Sequence, residues 1–163
     1  ECYRVLSDQG VLAFTYHHSR SEGWSSVLHA LMEAGFGISA AFPIKAEMSV
    51  AMPKLQAKEP IDLDIVLVCR KRSTLKKHQW NGDLWGTITP KAANQVERLR
   101  RSGRNLSRND VRIIIMAQLI RQLSCSHKVD SALSLLEASG PEIEATIESL
   151  HIVEKSEETE VKS

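Results

Sequence analysis

The chain has 163 residues with 42% apolar side chains, which suits one domain with a modest core, or part of a domain with an appendage. Its three cysteines are far apart, which excludes an intrachain disulfide framework and a C-x-x-C metal site. No apolar run approaches the roughly 20 residues of a membrane helix, and no secretory signal pattern is present. We therefore expect a soluble cytoplasmic protein that does not enter a membrane.

The net charge of +1 hides an uneven distribution along the chain. Residues 70–112 hold twelve Lys or Arg and three Asp or Glu; since the totals are 21 and 20, nine and seventeen remain elsewhere. Such a basic block either faces phosphates of a nucleic acid or forms a solvated helix face. The acid-rich stretch 154–163 is expected to be a disordered tail.

Residues 11–72 predict strand, helix, strand and a returning strand. The apolar run 11–16 is typical of a strand buried on both faces of a parallel sheet. Ser21 is expected to cap a helix that stops at Gly35, and strand 36–42 is expected to stop at Pro43. A loop over 46–60 then leads to strand 62–72. Because no crossover helix separates the last two strands, we expect them to be antiparallel.

Helices follow from about Lys91 onward. A basic amphipathic helix is predicted over 92–101, and Ser107 with Asp110 forms an S-x-x-D capping signature for a helix over 108–123. That helix carries apolar residues on most of its circumference and should be buried. Two more helices are predicted over 129–138 and 141–150.

The chain begins with what looks like the end of a helix, in which Cys2, Val5 and Leu6 form one apolar face. Residues 11–72 form only the closing half of an α/β sheet, and a half-sheet does not stand alone. We therefore expect further chain before Glu1. The predicted organisation is a half-sheet domain over 1–75, a helical appendage over 76–153 and an acidic tail over 154–163.

Five segments occur in an order typical of one enzyme family. They are G-V-L-A-F-T-Y-H-H at 10–18, E-G-W-S-S-V-L-H-A-L-M-E-A-G-F at 22–36, F-P-I-K-A-E-M-S at 42–49, K-E-P-I-D-L-D-I-V-L-V-C-R-K-R at 58–72 and N-L-S-R-N-D-V-R-I-I-I-M-A-Q-L at 105–119. This series resembles the C-terminal catalytic-domain region of large bacterial adenine-specific DNA methyltransferases of the restriction–modification type. The resemblance covers roughly residues 1–124.

The resemblance implies the α/β fold of a class I methyltransferase, a Rossmann-like sheet of seven strands. Segments 11–16, 36–42 and 62–72 would be its fifth, sixth and seventh strands, two parallel strands with an antiparallel last strand inserted between them. It also implies DNA as a partner, and methyl transfer from S-adenosylmethionine to the exocyclic amine of a flipped base.

Two motifs of that family are absent from the sequence. None of the five prolines is adjacent to another, so no D-P-P-Y motif is present, and Gly35-Phe36-Gly37 leads from a helix into a strand, the reverse of a cofactor loop. We therefore expect no catalytic, cofactor-binding or metal-binding residue in this chain. Both motifs are expected upstream of Glu1, in an N-terminal remainder that acts as the partner of this fragment, and the fragment alone should be inactive.

Ligands of open α/β sheets lie beyond the carboxyl ends of parallel strands. The aromatic rings there either stack on an extruded base or pack in the core, and one of the two histidines either faces the pocket or caps a neighbouring helix. The acidic candidate either accepts a hydrogen bond from a base edge or is a surface carboxylate. These substrate-pocket candidates are Tyr16, His17, His18, Phe42, Pro43 and Glu47.

The basic block supplies candidates for contacts with the DNA backbone. They are Arg70, Lys71, Arg72, Lys76, Lys77, Arg100, Arg101 and Arg104. Trp80 and Trp85 lie within this block, and either contact nucleic acid or attach the helical appendage to the sheet.

A second interpretation is a non-enzymatic module that binds nucleic acid or another protein through the basic block and the helices. A D-P-P-Y motif upstream of Glu1 would decide for the enzyme. A half-sheet also predicts an uncovered strand edge, through which two copies could form a homodimer.

Overall fold

A computed structural model describes residues 1–46, 61–75 and 82–160 of the chain. These residues form a mixed α/β structure. The helices are α1 (Cys2–Val5), α2 (Ser21–Glu33), α3 (Leu84–Arg101), α4 (Arg108–Ser126), α5 (Val129–Ala138) and α6 (Gly140–Glu160). The strands are β1 (Leu12–Tyr16), β2 (Phe36–Lys45) and β3 (Leu63–Lys71), and a short 3-10 turn at Arg72–Thr74 follows β3.

The three strands form one sheet in the order β1-β3-β2. Strand β3 is antiparallel to both neighbours, which confirms the predicted direction of the last strand. Strands β1 and β2 therefore run in the same direction without pairing with each other. All strand pairs in the described part of the chain are antiparallel, so the two parallel strands expected from the sequence are separated by β3.

The two faces of the sheet differ in burial. In β3 the alternate residues Leu63, Ile65, Leu67 and Cys69 are at most 1% exposed, and we call the side on which they lie the covered face. The intervening residues, among them Val66, are half-buried and lie on the opposite side, the open face.

Strand β1 follows the same alternation. Its side chains at Leu12, Phe14 and Tyr16 pack partly against the core, whereas Ala13 and Thr15 are exposed on the open face. The prediction that this strand is buried on both faces is therefore wrong. The error arose because its apolar residues form a continuous run, which hides the alternation of a one-sided strand.

The helices build the core on the covered face. Trp24, Leu28 and Met32 of α2 are buried there, and α4 is the central helix, in contact with the sheet and with α2, α3, α5 and α6. The prediction that α4 is buried against several partners is confirmed: Ile113, Ile114 and Ile115 are at most 1% exposed.

A capping box begins α4 as the sequence predicts. The Ser107 side chain accepts from the Asp110 backbone N–H, and the Asp110 carboxylate accepts from the Ser107 N–H at 3.0 Å. Asp110 is only 1% exposed, and its other oxygen accepts from the backbone N–H groups of Asp62 and Leu63 at 2.9 and 3.2 Å. One carboxylate therefore helps to cap a helix and also fixes the start of β3.

Three predicted boundaries need correction. The cap of α2 is Arg20, and Ser21 is the first helical residue. Strand β2 continues through Pro43 to Lys45. This proline is tolerated because β2 is an outer strand, where a missing backbone N–H that faces away from β3 breaks no ladder bond. Helix α3 begins at Leu84 instead of residue 92, because the Asp83 side chain caps it by accepting from the Gly86 N–H.

Both ends of the chain also differ from the sequence prediction. In α1, Cys2 is exposed and Val5 is 66% exposed, so they do not form the apolar face expected for them. Tyr3 instead packs edge-on against Phe36, with ring centroids 5.4 Å apart. Helix α6 extends to Glu160, beyond its predicted end at residue 150.

Candidate functional site

Tyr16 ends β1 and is held by contacts within the core. Its hydroxyl donates to the Gly23 carbonyl at 2.7 Å, and its ring meets Trp24 edge-on at 5.1 Å between centroids. Burial raises the pKa of Tyr16. Of the two interpretations that the sequence left open for this ring, the geometry matches packing.

His18 organises the start of α2. Its Nδ1 lies 3.0 Å from the Arg20 backbone N–H, and its carbonyl accepts from the Trp24 indole N–H at 2.8 Å. A Cβ on Gly23 would lie 2.2 Å from the imidazole, so the tight approach of the ring requires glycine there. The side chain of His18 therefore serves the helix start, which is one of the two roles that the sequence left open for it.

His17 lies at the same end of the sheet and is 42% exposed at its side chain. Its Nδ1 contacts the Asp64 carboxylate of β3, which is opposite Ile44 of β2. The next row across the sheet is Thr15, Val66 and Phe42. A histidine–carboxylate pair thus lies beside an apolar open face, on which Phe42 is 53% exposed and Ile44 is 39% exposed.

Phe42 and Pro43 also border a cleft between β2 and α3. The cleft has a volume of about 200 Å³ and is lined by Phe42, Pro43, Gln95, Arg98 and Leu99. The strand contributes an aromatic ring to it, and the helix contributes an amide and a guanidinium. The remaining pocket candidate, Glu47, lies outside the described residues.

Three of the basic candidates at the end of β3 hold neighbouring segments in place. The Arg70 guanidinium donates to the Gln9 carbonyl at 3.0 Å, and the Arg72 guanidinium donates to the His127 carbonyl at 2.7 Å. Lys71 is 9% exposed; its ammonium lies 3.1 Å from the Asp8 carboxylate and 4.8 Å from the centroid of the Tyr3 ring.

The candidates near the end of α3 divide between inward and outward contacts. The Arg100 guanidinium donates to the Leu150 carbonyl at 2.9 Å, whereas Arg101 forms an exposed ion pair with Glu97 one turn earlier. Arg104 is half-buried, just beyond the helix end. Arg100 therefore contacts another helix of the chain, whereas Arg101 lies at the surface, and the contact of these residues with DNA stays a prediction.

The structure describes only one of the two tryptophans in the basic block. Trp85 lies in the first turn of α3 and packs partly against the hydrophobic core, which matches the expected attachment of the appendage. Lys76, Lys77 and Trp80 lie outside the described residues.

The outer edge of β2 carries contacts that sequence reasoning missed. The Ile38 N–H donates to the Ser124 hydroxyl at 2.9 Å, and its carbonyl accepts from the Cys125 thiol at 3.2 Å. The Ser39 carbonyl accepts from Arg121 Nε at 3.0 Å. Side chains of α4 therefore pair with the strand edge that would otherwise be open.

Further along the same edge, the backbone of Ala41 bonds to side chains of two helices. The Ala41 carbonyl accepts from the Gln95 amide of α3 at 2.8 Å and from the Gln118 amide of α4 at 3.3 Å. The sequence signal for this contact was a polar row, Gln118, Arg121 and Cys125, on a helix whose central residues are mostly apolar. Its spacing indicated one helix face, but not which backbone that face would meet.

The described residues contain no group of three or more His, Cys, Asp or Glu side chains that could hold a metal ion. Burial raises the pKa of the Cys69 thiol to about 12, and burial also raises that of Cys125. Neither thiol has the lowered pKa of a reactive cysteine. Among the described helices, none has the length and apolar character needed to cross a membrane.

Comparison with known proteins identifies no relative of the chain. No family model, curated protein or solved structure matches it. The strand order, the open face and the cleft are therefore the features of the chain that bear on its function.

Proposed function

We propose that this chain is part of an S-adenosylmethionine-dependent DNA methyltransferase that acts on the exocyclic amine of adenine. Its role would be to close the Rossmann-like sheet and to form one side of the target-base pocket. The observation that carries the proposal is the strand order, in which β3 lies antiparallel between two strands of common direction. Helix α2 connects those two strands and packs on the covered face. This is the arrangement implied for strands five to seven by the resemblance of residues 1–124.

The open face and the outer edge of β1 support the same interpretation. The part of the chain that the structure describes places no strand on the outer side of β1, opposite to β3, and Val11, Phe42 and Ile44 are each at least 39% exposed. An open edge with an apolar face accepts a further strand and its packing layer. In a methyltransferase these would come from the half of the domain that binds the cofactor.

The carboxyl ends of β1 and β2 would border the base pocket. Phe42 offers an exposed ring for stacking on an extruded base, and Ile44 extends that apolar surface. His17 would line the pocket from the β1 side, where the Asp64 carboxylate fixes the orientation of its imidazole. Tyr16 and His18 would support this wall from behind through their contacts with α2.

The residues of this chain do not supply the whole reaction. No D-P-P-Y motif and no Gly-rich cofactor loop occur within the 163 residues. The proposal therefore requires a second segment or chain that carries both motifs, and S-adenosylmethionine would bind there. The 163-residue chain alone should transfer no methyl group.

The test is methyl transfer by the protein encoded by the complete reading frame that contains these codons. We expect a D-P-P-Y motif in that frame, and transfer of a tritiated methyl group from S-adenosylmethionine to adenine in DNA. The substitution Thr15→Lys places a charge on the open face of β1 and should abolish transfer. The matched control Ser26→Lys introduces the same residue at an exposed position of α2.

Two results would count against the proposal. A complete frame without the motif and without transfer would overturn it, and retained DNA binding in that case would favour the non-enzymatic module. Equal loss of activity in both lysine variants would show that the β1 border is not the docking edge.

A further inference from the structure

A row of positive charge follows the outer edge of β2. We call this edge sealed, because side chains of α3 and α4 pair with its backbone groups. Helix α3 lies along that edge because Gln95 bonds to the Ala41 carbonyl, and Lys91 and Arg98 lie about one turn to either side of Gln95. Arg121 of α4 reaches the same edge at Ser39. We call the surface formed by Lys91, Gln95, Arg98, Arg121 and Phe42 the β2–α3 seam.

The cations of the seam have no carboxylate partner among the described residues, whereas several other cations there do. Ion pairs join Arg4 to Glu1, Lys71 to Asp8, Arg101 to Glu97, and both Arg108 and Arg112 to Glu144. None of the ion pairs found between described residues includes Lys91, Arg98 or Arg121. Within the described residues, the positive charge of the seam is therefore not neutralised by an ion pair.

The charges of the seam also act on one another. Desolvation by neighbouring groups lowers the pKa of Lys91, and the nearby Arg121 guanidinium lowers it further. A like charge at short range disfavours the ammonium form, and an anion bound between the two groups would relieve that repulsion. The Arg121 side chain is fixed in place, since its Nε donates to the Ser39 carbonyl and its Nη1 donates to the Gln118 amide oxygen at 3.2 Å.

The seam ends in the cleft beside the exposed Phe42 ring. This ring is 53% exposed, and it shares the cleft of about 200 Å³ with Pro43, Leu99 and the Arg98 guanidinium. A guanidinium and an aromatic face side by side suit a nucleotide, because the first binds phosphate and the second stacks on a base. An acidic peptide would use the cations but would leave the aromatic face without a matching group.

We propose that the β2–α3 seam binds a single-stranded segment of nucleic acid, with phosphates on Lys91 and Arg98 and one base stacked on Phe42. This surface deepens the proposed function, on which it rests for the choice of DNA, and it is distinct from the scattered basic candidates of the sequence. It also directs the strand toward the carboxyl ends of β1 and β2, since Lys91 lies near the middle of β2 and Arg98 near Pro43.

The experiment measures binding of a short fluorescein-labelled single-stranded DNA by the purified chain, without cofactor, from fluorescence anisotropy over a range of salt concentrations. In the double variant Lys91→Gln/Arg98→Gln we expect the salt slope of log K to fall by about 1.4, because each phosphate neutralised on a single strand contributes about 0.7 to that slope. The charge-conserving variant Lys91→Arg/Arg98→Lys should retain the slope. The control Arg20→Gln/Lys128→Gln removes two exposed cations from the caps of α2 and α5 and should leave the slope unchanged.

Stacking is tested separately with Phe42→Ala. We expect about tenfold weaker binding of the intact strand, and no change for an abasic strand of the same length and charge. A duplex should bind more weakly than the single strand, because its bases are not free to stack. Thermal melting of each variant checks that it remains folded, which we expect because Lys91, Arg98 and Phe42 are all exposed.

Several outcomes would contradict the proposal that the seam binds nucleic acid. An equal fall in slope in the control variant would show an effect of net charge alone. Competition by polyglutamate as strong as by DNA, with no effect of Phe42→Ala, would indicate a site for acidic peptides. Absence of DNA binding would overturn the proposed role of the seam. It would not decide the proposed methyltransferase role, which is tested by methyl transfer and by the variant at the β1 border.

Discussion

The two outer strands of the sheet differ at their outer edges. Strand β2 has its outer backbone groups paired with side chains of α3 and α4, from Ile38 to Ala41. In the described ranges, strand β1 has no neighbour beyond it, and its segment L-A-F-T-Y carries neither a charge nor a proline that would discourage pairing. Among the described residues, one border of the sheet is therefore completed and the other is open.

This contrast indicates at which border a further strand can add to the sheet. Polar side chains aimed at a strand edge exclude another strand, so the β2 border is available only to ligands that bind side chains. The β1 border presents backbone donors and acceptors, which another strand recognises. The docking edge for the cofactor-binding half and the cations of the proposed nucleic-acid seam are therefore assigned to opposite borders, whereas Phe42 is shared by the base pocket and the seam.

The largest expected effect contrasts the two faces of β3. Leu67 is 0% exposed, and Leu67→Ala should lower the free energy of unfolding by about 3 kcal/mol because it leaves a cavity in the core. Its neighbour Val66 lies on the open face, and Val66→Ala should cost about 1 kcal/mol or less. Urea unfolding followed by tryptophan fluorescence measures both. Equal losses would mean that the open face is covered in solution.

A smaller effect is expected at the sealed border. Ser124 is 0% exposed and accepts from the Ile38 N–H, so Ser124→Ala leaves a buried donor unpaired and should cost about 2 kcal/mol. Ser26→Ala is the matched control, because that hydroxyl bonds to the Glu22 carbonyl on an exposed surface. The same urea titration applies, and a Ser124→Ala cost no larger than that of the control would remove the case for a sealed edge.

The smallest effect is expected at the open border. Thr15 is exposed on β1, so Thr15→Lys should change the free energy of unfolding by less than about 0.5 kcal/mol in the isolated chain. Unfolding at several protein concentrations, with the molar mass from light scattering, checks this expectation. A large loss that grows with dilution would show that a second copy occupies the β1 border, as the homodimer hypothesis requires.

Local signals in the sequence were sufficient to predict most of the helices and strands. The Ser107–Asp110 pair predicted the start of α4, and Gly35 predicted the end of α2, where its φ of +86° is easily adopted only by glycine. The direction of β3 followed from the absence of a crossover helix. These predictions succeeded because each depended on residues close together in the chain.

Features that depend on distant residues were not predictable in this way. The pairing of Arg121 with Ser39 joins residues 82 positions apart, and the bond from Asp110 to the start of β3 spans 47. The candidate residues show the same limit: Lys71 contacts the Asp8 carboxylate and Arg72 donates to the His127 carbonyl, contacts that the sequence did not indicate, and their contact with DNA stays a prediction. A basic residue has the same sequence signature whether it meets a phosphate or a backbone carbonyl.

A β-bulge in β2 determines that the Phe42 ring lies on the open face of the sheet. The pairing with β3 shifts register between Ile38 and Ala40, so that Ser39 is an extra residue. Even-numbered Phe36 and Ile38 share the covered face with odd-numbered Ala41, because the shift changes the parity of the strand halfway along it. With uninterrupted alternation Phe42 would lie inside and Ala41 outside. One supernumerary residue thus determines the position of the ring to which both the base pocket and the seam are assigned.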